Sequence, residues 1–241
     1  MCPPPKICPW KTVKTWSDVC KLGVKIIRSE FFCGEPLGWN YDPAGENIYE
    51  EVPKGVLEKM HTVGMLTRMS QPGLLAKNGE FYSSKRKGCR FATIQRAMVS
   101  AFCTLDVFEK FQTFLKSKNL AKDLFLLSSD DSLPKEDLLI TTPMQDDSKI
   151  PDESFIQKIA EAERTNDRSV INALFPCSKT CMNPDEGHYH CLTWFSAPKP
   201  ERFSIPYDKD KLIGFSIMDT QWGRTELLWK VLEEFCDTFR T

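Results

Sequence analysis

The sequence lacks a long apolar run, a marked excess of charge of either sign and a glycine-rich phosphate-binding motif. No apolar stretch approaches the roughly 20 residues that a membrane-spanning helix requires. The formal net charge of −1 provides no global field that would attract nucleic acid or an anionic membrane. Neither a Walker motif nor a dinucleotide-binding fingerprint is present. We therefore expect neither membrane insertion nor sequence-specific nucleic-acid binding.

Cysteine, in contrast, is abundant, with ten residues in 241. The first residues, 1–6, are rich in proline and contain no apolar core segment, so we expect no secretory signal and a cytoplasmic location. Cysteines in that compartment stay reduced. Cys20, Cys103 and Cys236 lie among apolar neighbours, where a thiol packs as a small hydrophobic group.

Composition and periodicity predict a globular α/β or α+β protein. Apolar residues make up 41% of the chain and charged residues 27%, which is ordinary for a folded domain. Residues 1–14, rich in proline and lysine, are expected to form an extended arm. Residues 15–241 alternate helical and strand periods, which predicts one domain with a mixed sheet flanked by helices. Residues 128–200 interrupt this rhythm with acidic residues and prolines, so we expect an irregular insert or elaboration there.

Several elements have clear boundary signals. Thr15 and Asp18 resemble a helix start, and Pro53 suits the first turn of a second helix that stops at Gly64. Alternating or short runs of apolar residues predict strands over 65–69, 91–102, 124–127 and 212–218. Helical spacing of apolar residues predicts further helices over 107–115, 152–174 and 227–235.

Two predicted strands end in loops that carry polar and aromatic side chains. The first loop contains Ser70 and Gln71, and the second contains Asp219, Trp222 and Arg224. Ligands of open α/β sheets bind where such loops converge. These residues, together with a mid-strand arginine, form a candidate ligand-binding set: Ser70, Gln71, Arg96, Asp219, Trp222 and Arg224.

The mid-strand arginine, Arg96, needs an anionic partner if it is buried, either a carboxylate such as Asp219 or a bound ligand. The alternative interpretation is structural: Arg96 or Arg224 pairs with Asp219, and Trp222 fills the end of the sheet. The sequence leaves both interpretations open.

A second candidate site lies in a segment rich in cysteine and histidine. Five of the thirteen cysteines and histidines fall between residues 177 and 191. His188 and His190 would project to the same face of a strand, and Cys177 and Cys181 could complete a tetrahedral zinc site. The spacing matches no common zinc module, so ordinary packing and a cysteine–histidine catalytic pair remain alternatives.

The order of several motifs resembles an uncharacterised family of actinobacterial and large-DNA-virus proteins. The resemblance is based on residues Gly64–Gly73, Gln95–Ala97 and the Trp222-Gly223-Arg224 loop before the last helix. The family has a GFLTTxSQPG block, a QRA strand and a C-terminal WGR loop. The resemblance implies no activity, but it directs attention to the six candidate ligand-binding residues. It also makes a viral origin plausible, with host cytoplasm or virion as the location.

Three classes of function are consistent with these features. The first is a small-ligand-binding domain, or an enzyme, that acts on a nucleotide-like or other anionic ligand. The second is a non-catalytic interaction protein, such as a viral structural or host-binding component. The third is a zinc-dependent enzyme. The sequence identifies no cofactor other than candidate zinc, and it does not indicate an oligomeric state. A cleft that holds Arg96, Asp219 and Arg224 would favour the first class, and a closed, paired core the second.

Zinc binding is directly measurable. If Cys177, Cys181, His188 and His190 bind zinc, purified protein contains about one ion per chain, with Zn–S and Zn–N distances near 2.3 and 2.1 Å. Because such a closed site is coupled to folding, chelation and His188→Ala should both lower the melting temperature. Protein with less than about 0.1 zinc ion per chain that is insensitive to chelator would contradict the prediction.

Overall fold

The computed structural model describes residues 13–28, 30, 52–75, 82–83, 90–131, 140–146, 153–174, 192–202 and 207–239. Its helices are α1 (Trp16–Ile27), α2 (Lys54–Thr62), α3 (Leu105–Ser117), α4 (Glu153–Arg164), α5 (Arg168–Leu174) and α6 (Glu226–Asp237). Its strands are β1 (Leu66–Gln71), β2 (Leu74–Leu75), β3 (Tyr82–Ser83), β4 (Arg90–Gln95), β5 (Met98–Thr104), β6 (Leu124–Ser128), β7 (Ile140–Asp146), β8 (Leu192–Trp194) and β9 (Leu212–Asp219).

The strands form two sheets, and every strand pair in the described part of the chain is antiparallel. The first sheet has the order β1-β5-β9-β6, and the second has the order β2-β4-β7-β8 with β3 beside β4. The predicted class, an α/β or α+β fold in which helices flank a sheet, is confirmed. The sheet was predicted to be mixed, whereas the described strands pair only antiparallel, which corresponds to the α+β alternative. The segment 128–200 supplies β7 and β8 to the second sheet.

The first sheet is covered on both faces. One face packs against α2, α3 and α6 in the largest cluster of buried side chains, which includes Leu57, Phe111, Phe215 and Leu232. Residues that alternate with these along the strands point to the opposite face, where α1 covers one end and Phe195 the other. The sheet is therefore the central layer of this part of the molecule.

The helix boundaries follow the local signals in the sequence. Thr15 caps α1, with its side chain accepting a hydrogen bond from the Asp18 N–H at 3.1 Å. Pro53 directly precedes α2, and Gly64 follows that helix with a φ of +94°, a conformation that favours glycine. The predicted long helix over 152–174 is two helices, because the Asp167 carboxylate accepts the Ser169 and Val170 N–H groups and starts a new one.

The predicted single strand over 91–102 is also two elements. β4 ends at Gln95 and β5 begins at Met98, so Arg96 and Ala97 connect the second sheet to the first. The prediction of a continuous strand was wrong because its alternating pattern persists across the connection. Both connecting residues are buried, which removes the polarity change that normally indicates a turn.

None of the helices in the described part of the chain combines the length and the apolar character needed to span a bilayer. Cys20, Cys103 and Cys236 are buried, as expected from their apolar neighbours, and are not joined in disulfides. Burial raises the pKa of the Cys20 thiol to about 12, so this thiol remains protonated and unreactive.

A buried histidine joins two helices to the first sheet. His61 Nε2 accepts a hydrogen bond from the Thr67 N–H at 2.9 Å, which requires that this nitrogen carry no proton. An added Cβ at Gly23 would lie 2.5 Å from His61 Nδ1, so α1 approaches the ring closely. Burial lowers the pKa of His61 from 6.5 to about 3, and the ring is therefore neutral at physiological pH.

His61 should make the fold sensitive to acid. Because the folded-state pKa lies below the unfolded value, the stabilisation is fully present above pH 6.5 and is lost as the pH falls towards 3. The loss should reach at most about 5 kcal/mol in the free energy of unfolding. Urea denaturation across this pH range should show a shallower acid dependence for His61→Gln than for the natural protein. Identical pH profiles would contradict this role.

Candidate functional site

The two loops predicted to form a site follow strands β1 and β9, which end on the same side of the first sheet. β1 and β9 lie on either side of β5 and are both antiparallel to it, so they run in the same direction. Gln71 and Met218 are both paired with Met98. The strand ends are therefore about 10 Å apart, which is two strand spacings. The predicted convergence of the loops is confirmed.

Direct contacts hold the two loops together. The Thr225 hydroxyl donates a hydrogen bond to the Gly73 carbonyl at 2.7 Å. A Cβ at Gly73 would overlap the Arg224 carbonyl group, so the close approach requires glycine at this position. On the other side, the Gly223 N–H donates to the Gln95 carbonyl at 3.2 Å. The second loop is thus attached to both the first loop and the end of β4.

Two buried glutamines reinforce this attachment. The Gln71 Nε2 donates to the Arg96 carbonyl at 3.0 Å, and the Gln95 Nε2 donates to the Pro72 carbonyl at 2.8 Å. Both side chains therefore satisfy backbone carbonyls at the junction of the two sheets. Gln71 and the neighbouring Ser70 are buried at this junction.

Asp219 pairs with Arg224. The carboxylate is fully buried and accepts two hydrogen bonds from the guanidinium, each 2.8 Å long, and a third at 2.8 Å from the Gln221 N–H. Arg224 also lies 3.3 Å from a carboxylate oxygen of Asp123. The hydrogen bonds to Asp219 are the main cause of the raised pKa of Arg224. The predicted pairing of Asp219 with an arginine is confirmed.

Arg96 pairs with a residue that the sequence did not indicate. Its Nη1 and Nη2 donate to the two carboxylate oxygens of Glu163, at 2.9 and 2.7 Å, and both side chains are at least nine-tenths buried. The carboxylate that neutralises Arg96 therefore comes from α4 rather than from Asp219. The available signal was weak: Glu163 directly follows the buried Ala162 on the apolar face of α4.

The Trp222 ring lies over one face of the Arg96 guanidinium. The Arg96 Cζ lies 4.2 Å from the centre of the indole ring, within the range of a cation–π contact. The ring is 9% exposed, and its Nε1 has no hydrogen-bond partner among the described residues. All six predicted ligand-binding residues thus lie at one junction, but Arg96 and Asp219 belong to two separate ion pairs.

The second candidate site remains a prediction. Cys177, Cys181, His188 and His190 lie outside the described residues. Among the residues that are described, no group of three or more histidine, cysteine, aspartate or glutamate side chains could hold a metal ion.

Comparison with known proteins adds no relative. No protein-family model matches the chain, and no curated protein matches it significantly. The resemblance to the actinobacterial and viral family therefore remains a prediction.

The Arg96–Glu163 pair gives a stability prediction. Glu163→Gln leaves a buried guanidinium without a counter-charge and should lower the free energy of unfolding by about 3–5 kcal/mol, measured by urea denaturation. The double variant Arg96→Met with Glu163→Leu should lose less, because it removes both charges together. Glu161→Gln, on the same helix but at an exposed ion pair, is the matched control and should change stability little. Equal losses for Glu163→Gln and Glu161→Gln would refute a buried pair.

Proposed function

We propose that this protein is a non-catalytic interaction protein in which the two converging loops form a structural clasp between the sheets. The observation that carries this proposal is that the charged groups of Arg96 and Asp219 are already paired and buried. The sequence left a ligand cleft and a closed core as alternatives, and this pairing favours the closed core.

The charge balance of the clasp also disfavours an anionic ligand. Two arginines, Arg96 and Arg224, face three carboxylates, from Glu163, Asp219 and Asp123. Both terminal nitrogens of Arg96 are engaged by Glu163. Binding or transition-state stabilisation of an anion requires donors that are free to face it. A phosphate or carboxylate would have to displace a buried counter-ion, which is unfavourable.

A small-ligand site at the same junction is the second candidate. One observation favours it: the buried Trp222 Nε1 has no acceptor within the described part of the chain, and such a donor is normally satisfied. A ligand with an acceptor atom could satisfy it beside Arg224, which is 24% exposed. The set Ser70, Gln71, Arg96, Asp219, Trp222 and Arg224 would then act as ligand-binding residues. The third class, a zinc-dependent enzyme, depends on the metal analysis of the 177–191 segment.

Thermal denaturation separates the two candidates at the junction. We expect phosphate, citrate and adenosine nucleotides to leave the melting temperature unchanged relative to sodium chloride of equal ionic strength, because a structural clasp has no free anion site. Trp222→Phe removes the indole N–H and keeps an aromatic ring over Arg96. Trp229→Phe is the matched control, because its buried Nε1 also lacks a partner among the described residues.

A saturable rise in melting temperature with one of these ligands would contradict the structural clasp. If Trp222→Phe abolished that rise and Trp229→Phe preserved it, the ligand would be located at the junction.

A further inference from the structure

An apolar cavity opens beside the edge of the first sheet. It has a volume of about 470 Å³ and lies between the end of α3, the turn that follows and β6. Its walls include Leu115, Leu120, Leu124, Phe125 and Leu126, and Lys116 lies among its lining residues. A cavity of this size can hold several apolar side-chain groups.

The strand beside the cavity is an edge strand. Among the described residues, β6 pairs with β9 and with no other strand. The Ser129 N–H donates to the Gly214 carbonyl and the Thr220 N–H donates to the Asp123 carbonyl, so odd-numbered residues of this segment direct their backbone groups towards β9. In an antiparallel ladder the alternate residues face away. The outward backbone groups of β6 therefore belong to Leu124, Leu126 and Ser128.

Three of these six outward N–H and C=O groups have local partners. The Leu124 N–H donates to the Leu120 carbonyl at 2.9 Å. The Ser128 N–H donates to the Asp131 carboxylate at 2.9 Å, and the Ser128 carbonyl accepts from the Asp131 N–H. Both ends of the edge are thus protected from indiscriminate pairing. Within the described residues, Leu126 alone keeps both an outward N–H and an outward C=O for another chain.

One lysine lines the opening, and a second lies close to it in the chain. Lys116 lines the cavity and Lys122 lies two residues before β6; both are exposed. Neither lysine forms an ion pair with any described residue, whereas the nearby Asp123 is engaged by Arg224. An acidic partner group would therefore meet uncompensated positive charge.

We propose that this cavity binds a short, extended, apolar segment of a partner protein that carries acidic residues. One residue of the segment pairs with the N–H and C=O of Leu126, and alternate side chains enter the cavity. An acidic side chain meets Lys116. A fatty carboxylate would leave the Leu126 C=O without a donor, so the paired donor and acceptor favour a peptide. This inference rests on the proposed interaction function and identifies its surface.

Fluorescence anisotropy with a labelled peptide of alternating leucine and glutamate tests the proposal on the full chain. A peptide with lysine in place of glutamate is the charge control. We expect the acidic peptide to bind and the basic one to bind at least about tenfold more weakly. Lys116→Ala should weaken binding about threefold to fivefold. Lys25→Ala, which also removes a lysine from the last turn of a helix, should leave binding unchanged.

Two variants test the location of the peptide. Ala121→Trp fills the cavity from its exposed wall and should weaken binding by about tenfold or more. Leu126→Pro removes the outward N–H at an edge position where proline does not interrupt the β9 ladder, and it should also weaken binding. An unchanged melting temperature confirms that each variant is folded.

Three results would overturn the proposal: equal affinity for the acidic and basic peptides, unchanged affinity in a folded Ala121→Trp variant, or decanoate binding more tightly than the peptide. The last result would assign the cavity to a small amphiphile. Because none of these variants touches the clasp, failure here leaves the thermal test of the proposed function unaffected.

Discussion

The burial of the Arg96 charge is the constraint on which the junction between the two sheets depends. Arg96 lies in the two-residue connection from β4 to β5, between the two sheets. Glu163 supplies the counter-charge and Trp222 covers the face of the guanidinium. A buried guanidinium without these groups would be strongly destabilising. Helix α4 and the loop after β9 must therefore reach this point before the junction is complete.

The fold was largely predictable because the residues at the start and end of most helices and strands indicate those boundaries locally. The Thr15 cap, Gly64 and the alternation in β9 each reflect interactions between residues close in the chain. The break at residues 96–97 was not predictable in this way. Its polar backbone is satisfied by distant groups, such as the Gln71 side chain, and the flanking residues remain buried as they would be in a continuous strand.

In the candidate site, too, contacts between residues close in the chain were predictable and contacts between distant residues were not. The meeting of the two loops could be predicted because both follow the ends of strands, and Asp219 and Arg224 are only five residues apart. Glu163 is separated from Arg96 by 67 residues, and an acid on an amphipathic helix is usually solvated. Polar residues within an apolar run indicate that a partner exists. They do not distinguish a ligand from a carboxylate of the same chain, because both satisfy the same charge.

The clasp and the neighbouring edge strand β6 differ in how their polar groups are satisfied, and this difference is the link between the structure and the proposed function. At the clasp, charged groups are buried and matched within the chain, so there is little surplus binding capacity for an outside ligand. At β6, the Leu120 carbonyl and the Asp131 carboxylate satisfy the outer ends of the strand but not its centre at Leu126. Complete protection of an edge prevents association, and an unprotected edge promotes aggregation. In the proposed function, an edge that is open at its centre, beside an apolar cavity and an exposed lysine, would associate with a short complementary segment rather than with a long strand.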